Sequence, residues 1–434
     1  MIENTLHHIL GRVITEGNFR VIYPSGRTEQ YGNGAGKPLA IRITDKAALR
    51  AIVLDPGLRA PEMYMDGRLV IEEGDIYELI ALAKANTNPE VLTPGAWFQH
   101  LRRSVTDAPI AHAVGLKTAR ANVARHYDLD ERLYRLFLDG DMQYSCAYFE
   151  RPDMTLDQAQ LAKKRLIAAK LLVKPGARVI DIGCGWGGMA LYLARVCGAE
   201  VVGVTLSQEQ LRVARARAEA AGLADRVSFR LHDYREITDT FDNIVSVGMF
   251  EHVGLRQYPV FFKTAARLLR GDGVMLLHSM AQTAKARYNQ PFMEKYIFPG
   301  GYIPALSEVT PAVEKSGLVT RDVEMLSLHY ANTVKAWRQR FLAQREKVLE
   351  LYDERFIRMW EFYLAGSESA FRYDQMHVVH LQLAHRQESV PLTRDYIPAA
   401  MARLAAVERG WPDYAALHDD AFPVAEPLRR SATQ

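Results

Sequence analysis

Cysteine is scarce. The three present, Cys146, Cys184 and Cys197, form no even set and lack the spacing of a zinc site. That argues against a disulfide framework and leaves no metal centre to expect. Thiols left free suit a reducing cytoplasm. Also lacking is any apolar run long enough to cross a bilayer. The opening Met1-Ile-Glu-Asn-Thr-Leu-His-His8 has none of the charged, apolar and cleavage regions of a signal peptide. A cytoplasmic protein, with at most peripheral membrane contact, is therefore expected. Charge of one sign is not in excess: 54 Lys and Arg stand against 51 Asp and Glu, a net charge of +3. That is too little to argue for nucleic acid as a partner.

What is there is a chain of 434 residues, 48% hydrophobic and 24% charged, enough for two domains and a sizeable core. Residues 1–85 read as a small α+β accessory domain that docks lipid or dimerises. Phe19 to Tyr23 alternates up to a turn at Pro24-Ser-Gly26, and Leu39 to Thr44 resumes the alternation. Asp45 caps a helix that Asp55-Pro-Gly57 should end. Glu62 to Ile71 resembles a turn and strand, and Asp75 opens a helix through Lys84. Residues 86–125 read as a linker. From Trp97 it carries Arg102, Arg103, Lys117, Arg120 and Arg125 against the single acid Asp107, a composition suited to an anionic membrane surface.

The stretch that organises the remainder is Arg178-Val-Ile-Asp-Ile-Gly-Cys-Gly-Trp-Gly-Gly188. An apolar strand ends at a carboxylate and a glycine cluster (183, 185, 187, 188), then a helix follows. Glycines let backbone approach a ligand closely, although this pattern alone is shared by many nucleotide folds. Asp181 sharpens it: a carboxylate there suits a cationic, amine-bearing ligand and repels a pyrophosphate. The reading is S-adenosylmethionine (SAM) rather than NAD. Strands at 200–204, 227–231, 241–247 and 274–278 alternate with helices, which implies a parallel sheet with ligands at the carboxyl ends of its strands. Residues 335–364 read as one long helix, and the last fifty or so as mostly helical, with 396–434 a C-terminal extension of a catalytic domain at 126–395.

The candidates lie at those strand ends. Thr205, Ser207 and Gln210 stand where many SAM enzymes carry an acid for the ribose, and could bond the hydroxyls without charge; Ser207 also suits a helix N-cap. Asp233 and Tyr234 could hold the adenine or merely form a turn. Glu251, in Gly248-Met-Phe-Glu-His-Val-Gly254, is a carboxylate that needs a partner if desolvated. His252 reads as a packing histidine, and His278 equally as core or site.

Taken together, Met142-Gln-Tyr-Ser-Cys-Ala-Tyr148, Asp181 to Gly188, Val204-Thr-Leu-Ser207, Val245 to Gly254 and Lys295-Tyr-Ile-Phe-Pro299 closely resemble the cyclopropane-fatty-acid synthases, including the mycolic acid cyclopropane synthases. The resemblance spans roughly residues 120 to 395. It implies an α/β class I SAM-dependent methyltransferase fold, Rossmann-like, with a mostly parallel seven-stranded sheet and helical lid insertions. It implies SAM held by Tyr144, Ser145, Asp181, Gly183, Gly185, Gly187, Thr205, Ser207, Gln210, Asp233 and Tyr234. It also implies a bicarbonate ion as base, held by Cys146, Glu251, His278, the backbone of Met280, and Tyr330. The late-helix cysteine of some members is Ser367 here. The implied reaction is methylene transfer to the cis double bond of phospholipid acyl chains, or with a different proton loss a methylene- or methyl-branched product. The implied partners are a phospholipid membrane surface and a second copy of the chain. Attack by an alkene leaves a carbocation that aromatic faces can stabilise; Tyr144, Phe149, Tyr296, Phe298, Tyr302 and Tyr330 are the candidates.

Overall fold

A computed structural model describes residues 2–86, 129–283 and 290–411. Residues 87–128, which hold nearly all of the basic linker, and residues 412–434 lie outside the described residues.

The N-terminal portion runs α1 (Ile2–Val13), β1 (Asn18–Ile22), β2 (Thr28–Tyr31), β3 (Pro38–Ile43), α2 (Lys46–Leu54), α3 (Pro56–Met65), β4 (Leu69–Glu73) and α4 (Ile76–Ala85). The four strands form one mixed sheet in the order β2-β1-β3-β4. Asp45 caps α2 through the amides of Ala47 and Ala48, and Asp75 with Glu78 closes a capping box on α4. As expected, α2 ends at Leu54, before Asp55-Pro-Gly57, but a second helix follows at once. Pro56 takes the first position of α3, where a missing N–H costs nothing. Glu62–Met65 is therefore helix, and only Leu69 onward is strand.

After α5 (Glu131–Phe137) and α6 (Leu156–Leu171) comes the large sheet. Its strands are β5 (Arg178–Ile182), β6 (Glu200–Thr205), β7 (Val227–Leu231), β8 (Phe241–Val247), β9 (Leu269–Gln282), β10 (Val319–Met325) and β11 (Met376–Ala384). Helices α7 (Gly188–Cys197), α8 (Gln208–Ala220) and α9 (Tyr258–Leu268) connect the first five, and α10 (Leu306–Glu314) precedes β10. The order is β10-β11-β9-β8-β5-β6-β7. The run from β7 to β9 is parallel, and β11 enters antiparallel to both β9 and β10. The expected seven-stranded, mostly parallel α/β sheet is what forms. Its interior strand β5 is buried over Val179–Ile182, as a strand covered by helices on both faces must be.

The expected helix over 335–364 is three: α11 (His329–Ala343), α12 (Arg345–Leu349) and α13 (Glu354–Tyr373). The break before α13 is made by Asp353, which turns extended and caps the new helix at the amide of Phe356. α14 (Tyr396–Arg409) lays Ile397, Ala400 and Leu404 into the core beside α6 and α7, and Arg165 of α6 holds its Glu408. It is part of the helical layer, not an appendage to it.

Candidate active site

Two adjoining cavities open at the carboxyl ends of the parallel strands. The first, about 150 Å³, is bordered by Asp181, Gly183 and Gly185 after β5, Thr205 and Gln210 after β6, Asp233 and Tyr234 after β7, and Gly248 after β8. Gly183 has φ +82°, and a Cβ there would meet Met249 at 2.7 Å, so only glycine keeps this floor flat. Asp181 is buried, and its Oδ2 finds no hydrogen-bond partner among the described residues. Burial raises its carboxyl to about 7, with the Lys163 ammonium pulling the other way. A buried carboxylate oxygen without a donor, aimed at a cavity, fits a cationic amine.

The second cavity, about 280 Å³, is walled by apolar side chains including Phe292, Met293, Phe298, Val334, Phe362 and Phe371. Cys146, Glu251, His278, Met280 and Tyr330 also border it, as do the polar side chains of Gln282, Gln290, Glu294, Ser367 and Asp374. Glu251 is buried; its Oε1 accepts the Met280 N–H at 2.6 Å, while Oε2 is buried with no partner among the described residues. Burial raises its carboxyl, against the hydrogen bonds from Met280 and Ser279. His278 is buried and its Nδ1 lies 2.8 Å from His380 Nε2. Burial pushes the Cys146 thiol far up, so it stays protonated and is no nucleophile.

The cavities share a wall. Tyr144, Ser145, Gly248 and His252 border both. Lys163, fully buried on α6, fixes this wall by donating to Gln143 Oε1 at 2.5 Å and Ser145 Oγ at 2.8 Å. Desolvation lowers that ammonium to about 8, with Asp139 opposing. The Tyr144 hydroxyl pairs with that of Tyr363 at 2.7 Å.

Two expected cofactor residues do not border the first cavity. Ser207 is the N-cap of α8, its Oγ accepting from the Gln210 amide at 3.2 Å. Gly187, at φ +87°, opens α7, and a Cβ there would meet Phe229 Cζ at 2.7 Å; its smallness serves helix–sheet packing. Asp233 borders the cavity yet also grips Arg235, which donates Nε and Nη2 at 2.7 Å each. Of the six aromatics, Tyr144, Phe298, Tyr302 and Tyr330 border the apolar cavity. Phe149 instead stacks on His329, and the Tyr296 hydroxyl turns away to Glu62. The backbone N–H of Met280 is taken by Glu251, so it positions that carboxylate. Sequence reasoning missed Lys163, and His380, whose partners are distant in the chain, and set His252 aside as packing although it borders both cavities.

Residues 115–381 match the family described as Mycolic acid cyclopropane synthetase, and residues 5–92 match a domain of unknown function. The probable fatty acid methyltransferase of Pseudomonas putida is 38% identical over 321 residues, 71% of this chain and 77% of that one. The cyclopropane-fatty-acyl-phospholipid synthase of Escherichia coli K12 is 37% identical over 340 residues, 78% of this chain and 86% of that one. The crystal structure of mycolic acid cyclopropane synthase CmaA1 complexed with SAH and CTAB superposes with a TM-score of 0.58 at 34% identity, over 61% of this chain and 97% of that one.

Proposed function

Because this chain belongs to the mycolic acid cyclopropane synthetase family, we propose that it transfers a methylene from SAM to the cis double bond of phospholipid acyl chains at a membrane surface, with bicarbonate as the base. The fold is that of the class I SAM-dependent methyltransferases, and the chain is a SAM-dependent cyclopropane-fatty-acyl synthase or a related fatty-acid methyltransferase.

The observation that carries the finer reading is the shared wall: a cavity with an unpartnered carboxylate for a cation touches an apolar one with an unpartnered carboxylate of its own. An isolated alkene has no polar handle, so its binding must come from burying hydrocarbon. SAM supplies an electrophilic methyl on a sulfonium. Asp181 attracts its ammonium, and Gly183 and Gly185 let it lie close to the strand ends. Tyr144, Phe298, Tyr302 and Tyr330 offer ring faces to a carbocation on the chain, each worth up to about 2 kcal/mol when desolvated. Ring closure then needs a base within about 3 Å of the methyl proton. Bicarbonate fits the polar patch: Glu251 Oε2 would accept its hydroxyl, and His278 and Tyr330 would hold its other oxygens. The enclosing apolar wall keeps out water that would trap the cation. Among the described residues no helix is long and apolar enough to cross a membrane, and the basic segment around Arg102 to Arg125 supports a peripheral approach to the bilayer.

The test is incubation with SAM and vesicles of monounsaturated phospholipid, read by proton NMR. Cyclopropane ring protons are the expected product signal. New branched-methyl or exomethylene signals would move the assignment to a branching methyltransferase. Loss of SAM without any lipid product would overturn both.

A further inference from the structure

Behind His278 lies a buried chain of donors that leads out of the cavity. His278 and His380 are direct cross-strand partners in the β9–β11 ladder, and their rings meet through His278 Nδ1 and His380 Nε2 at 2.8 Å. The other nitrogen of His380, Nδ1, lies 3.3 Å from Lys170 Nζ on α6. Lys170 and His380 are both fully buried. Lys170 is ion-paired to Glu324 and lies 3.6 Å from Asp322, both on β10. Arg394 reaches the same two acids from the solvent side, at 3.2 Å and 3.5 Å.

The direction of every hydrogen bond in this chain follows from its one end. An ion-paired ammonium has three donors and no lone pair, so His380 Nδ1 must accept. A neutral imidazole that accepts at one nitrogen carries its proton on the other. His380 therefore donates from Nε2, and His278 Nδ1 accepts. His278, neutral in turn, carries its own proton on Nε2, the edge left for the cavity. A second positive charge on His380 would sit against the Lys170 ammonium, and burial holds both imidazoles far below their ordinary range.

We propose that Lys170 and His380 are positioning residues that fix His278 as an Nε2–H donor at the polar patch of the apolar cavity. His278 is thereby matched to an oxyanion and is not itself the resting base. That the oxyanion is bicarbonate rests on the function proposed above; the tautomer does not.

The test uses the full chain with 15N-labelled histidine, the His278 signals being assigned by loss in a His278→Asn variant. The expected spectrum has His278 protonated at Nε2 and bare at Nδ1. His380→Gln keeps an N–H toward His278 Nδ1 and should keep both the tautomer and most of the turnover. His380→Glu puts an acceptor there, so His278 must protonate Nδ1, and turnover with SAM and monounsaturated vesicles should fall on the order of tenfold below the Gln variant. Lys170→Met should mix the two tautomers, and Lys170→Arg should restore the single one. A wild-type His278 protonated at Nδ1, or doubly protonated, overturns the proposal, as do equal turnovers of two folded His380 variants. The wild-type spectrum needs no turnover, so a wrong substrate leaves that arm intact.

Discussion

The backbone N–H of Met280, on β9, holds Glu251 Oε1 at 2.6 Å, so the carboxylate plane is set by the sheet and Oε2 alone is left over. Glu251→Gln breaks that division of labour. An amide must give its oxygen to the Met280 N–H, which turns an N–H₂ toward the cavity where an acceptor stood. Turnover should fall about a hundredfold or more, while SAM affinity, measured by calorimetry, stays near the wild-type value. An unchanged single-turnover rate would remove Glu251 from the chemistry.

Asp181, as the proposed contact of the ammonium, should make SAM binding a proton-linked event. Its carboxyl is raised to about 7 by burial, whereas a cationic ligand favours the ionised form. Below that pH the free protein holds a proton that binding must expel, so affinity should fall with pH by up to about tenfold per unit. Above it the affinity should be flat. Calorimetry in buffers of different ionisation enthalpy counts the released proton directly, and no release near pH 6 would exclude Asp181 as the contact.

Acid should destabilise the fold through its buried histidines. Burial lowers His252 to about 4 and holds His278 and His380 well below the ordinary value. The unfolded chain takes up these protons first, from about pH 6.5 downward. Stability is therefore full above that value and is lost as pH falls, for His252 down to about 4. Each such group contributes a slope approaching about 1.4 kcal/mol per pH unit. Denaturant midpoints followed from neutral pH down should show the decline, and His380→Gln should flatten it by one proton.

Glu62 ties the N-terminal portion to the cavity wall. It is buried on α3 and accepts from Lys295 Nζ at 2.6 Å, the Tyr296 hydroxyl at 2.8 Å and Arg59 at 2.5 Å. Burial opposes its ionisation, yet these donors hold its carboxyl below the usual range. The neighbours of Lys295 in sequence, Met293, Glu294 and Phe298, border the apolar cavity. Glu62→Ala should leave three donors without their acceptor, at roughly 1–3 kcal/mol, and raise KM for the lipid while SAM affinity holds. Equal KM values would show that this contact only joins the two portions.

The parallel strands were legible because burial on both faces writes itself as apolar runs, as in Arg178–Ile182 and Phe241–Val247. The two strands joined by antiparallel pairing, β10 and β11, were not. β10 reads Val-Thr-Arg-Asp-Val-Glu-Met and β11 carries His377, His380 and Gln382 among its apolar residues; Glu324 and His380 find Lys170, Asp322 and Glu324 find Arg394, and the Gln382 amide finds Tyr396, all on other elements. Local pattern cannot show a partner two hundred residues away. The same blindness hid α3, where a proline that starts a helix looks like one that ends it. Ser207 and Gly187 show the converse: a motif position can fit its family text while its side chain, or lack of one, serves the packing next door.

Helix α13 faces two ways. Ala365 sits in the core of the N-terminal portion and Tyr64 donates to Glu361 at 2.8 Å, while Tyr363, Gly366, Ser367 and Ala370 line the hydrocarbon cavity. A chain cut to begin after the linker would leave this helix half naked, with greasy residues in water on the very rod that shapes the second cavity. The N-terminal eighty-odd residues thus act as the outer cladding of the chamber.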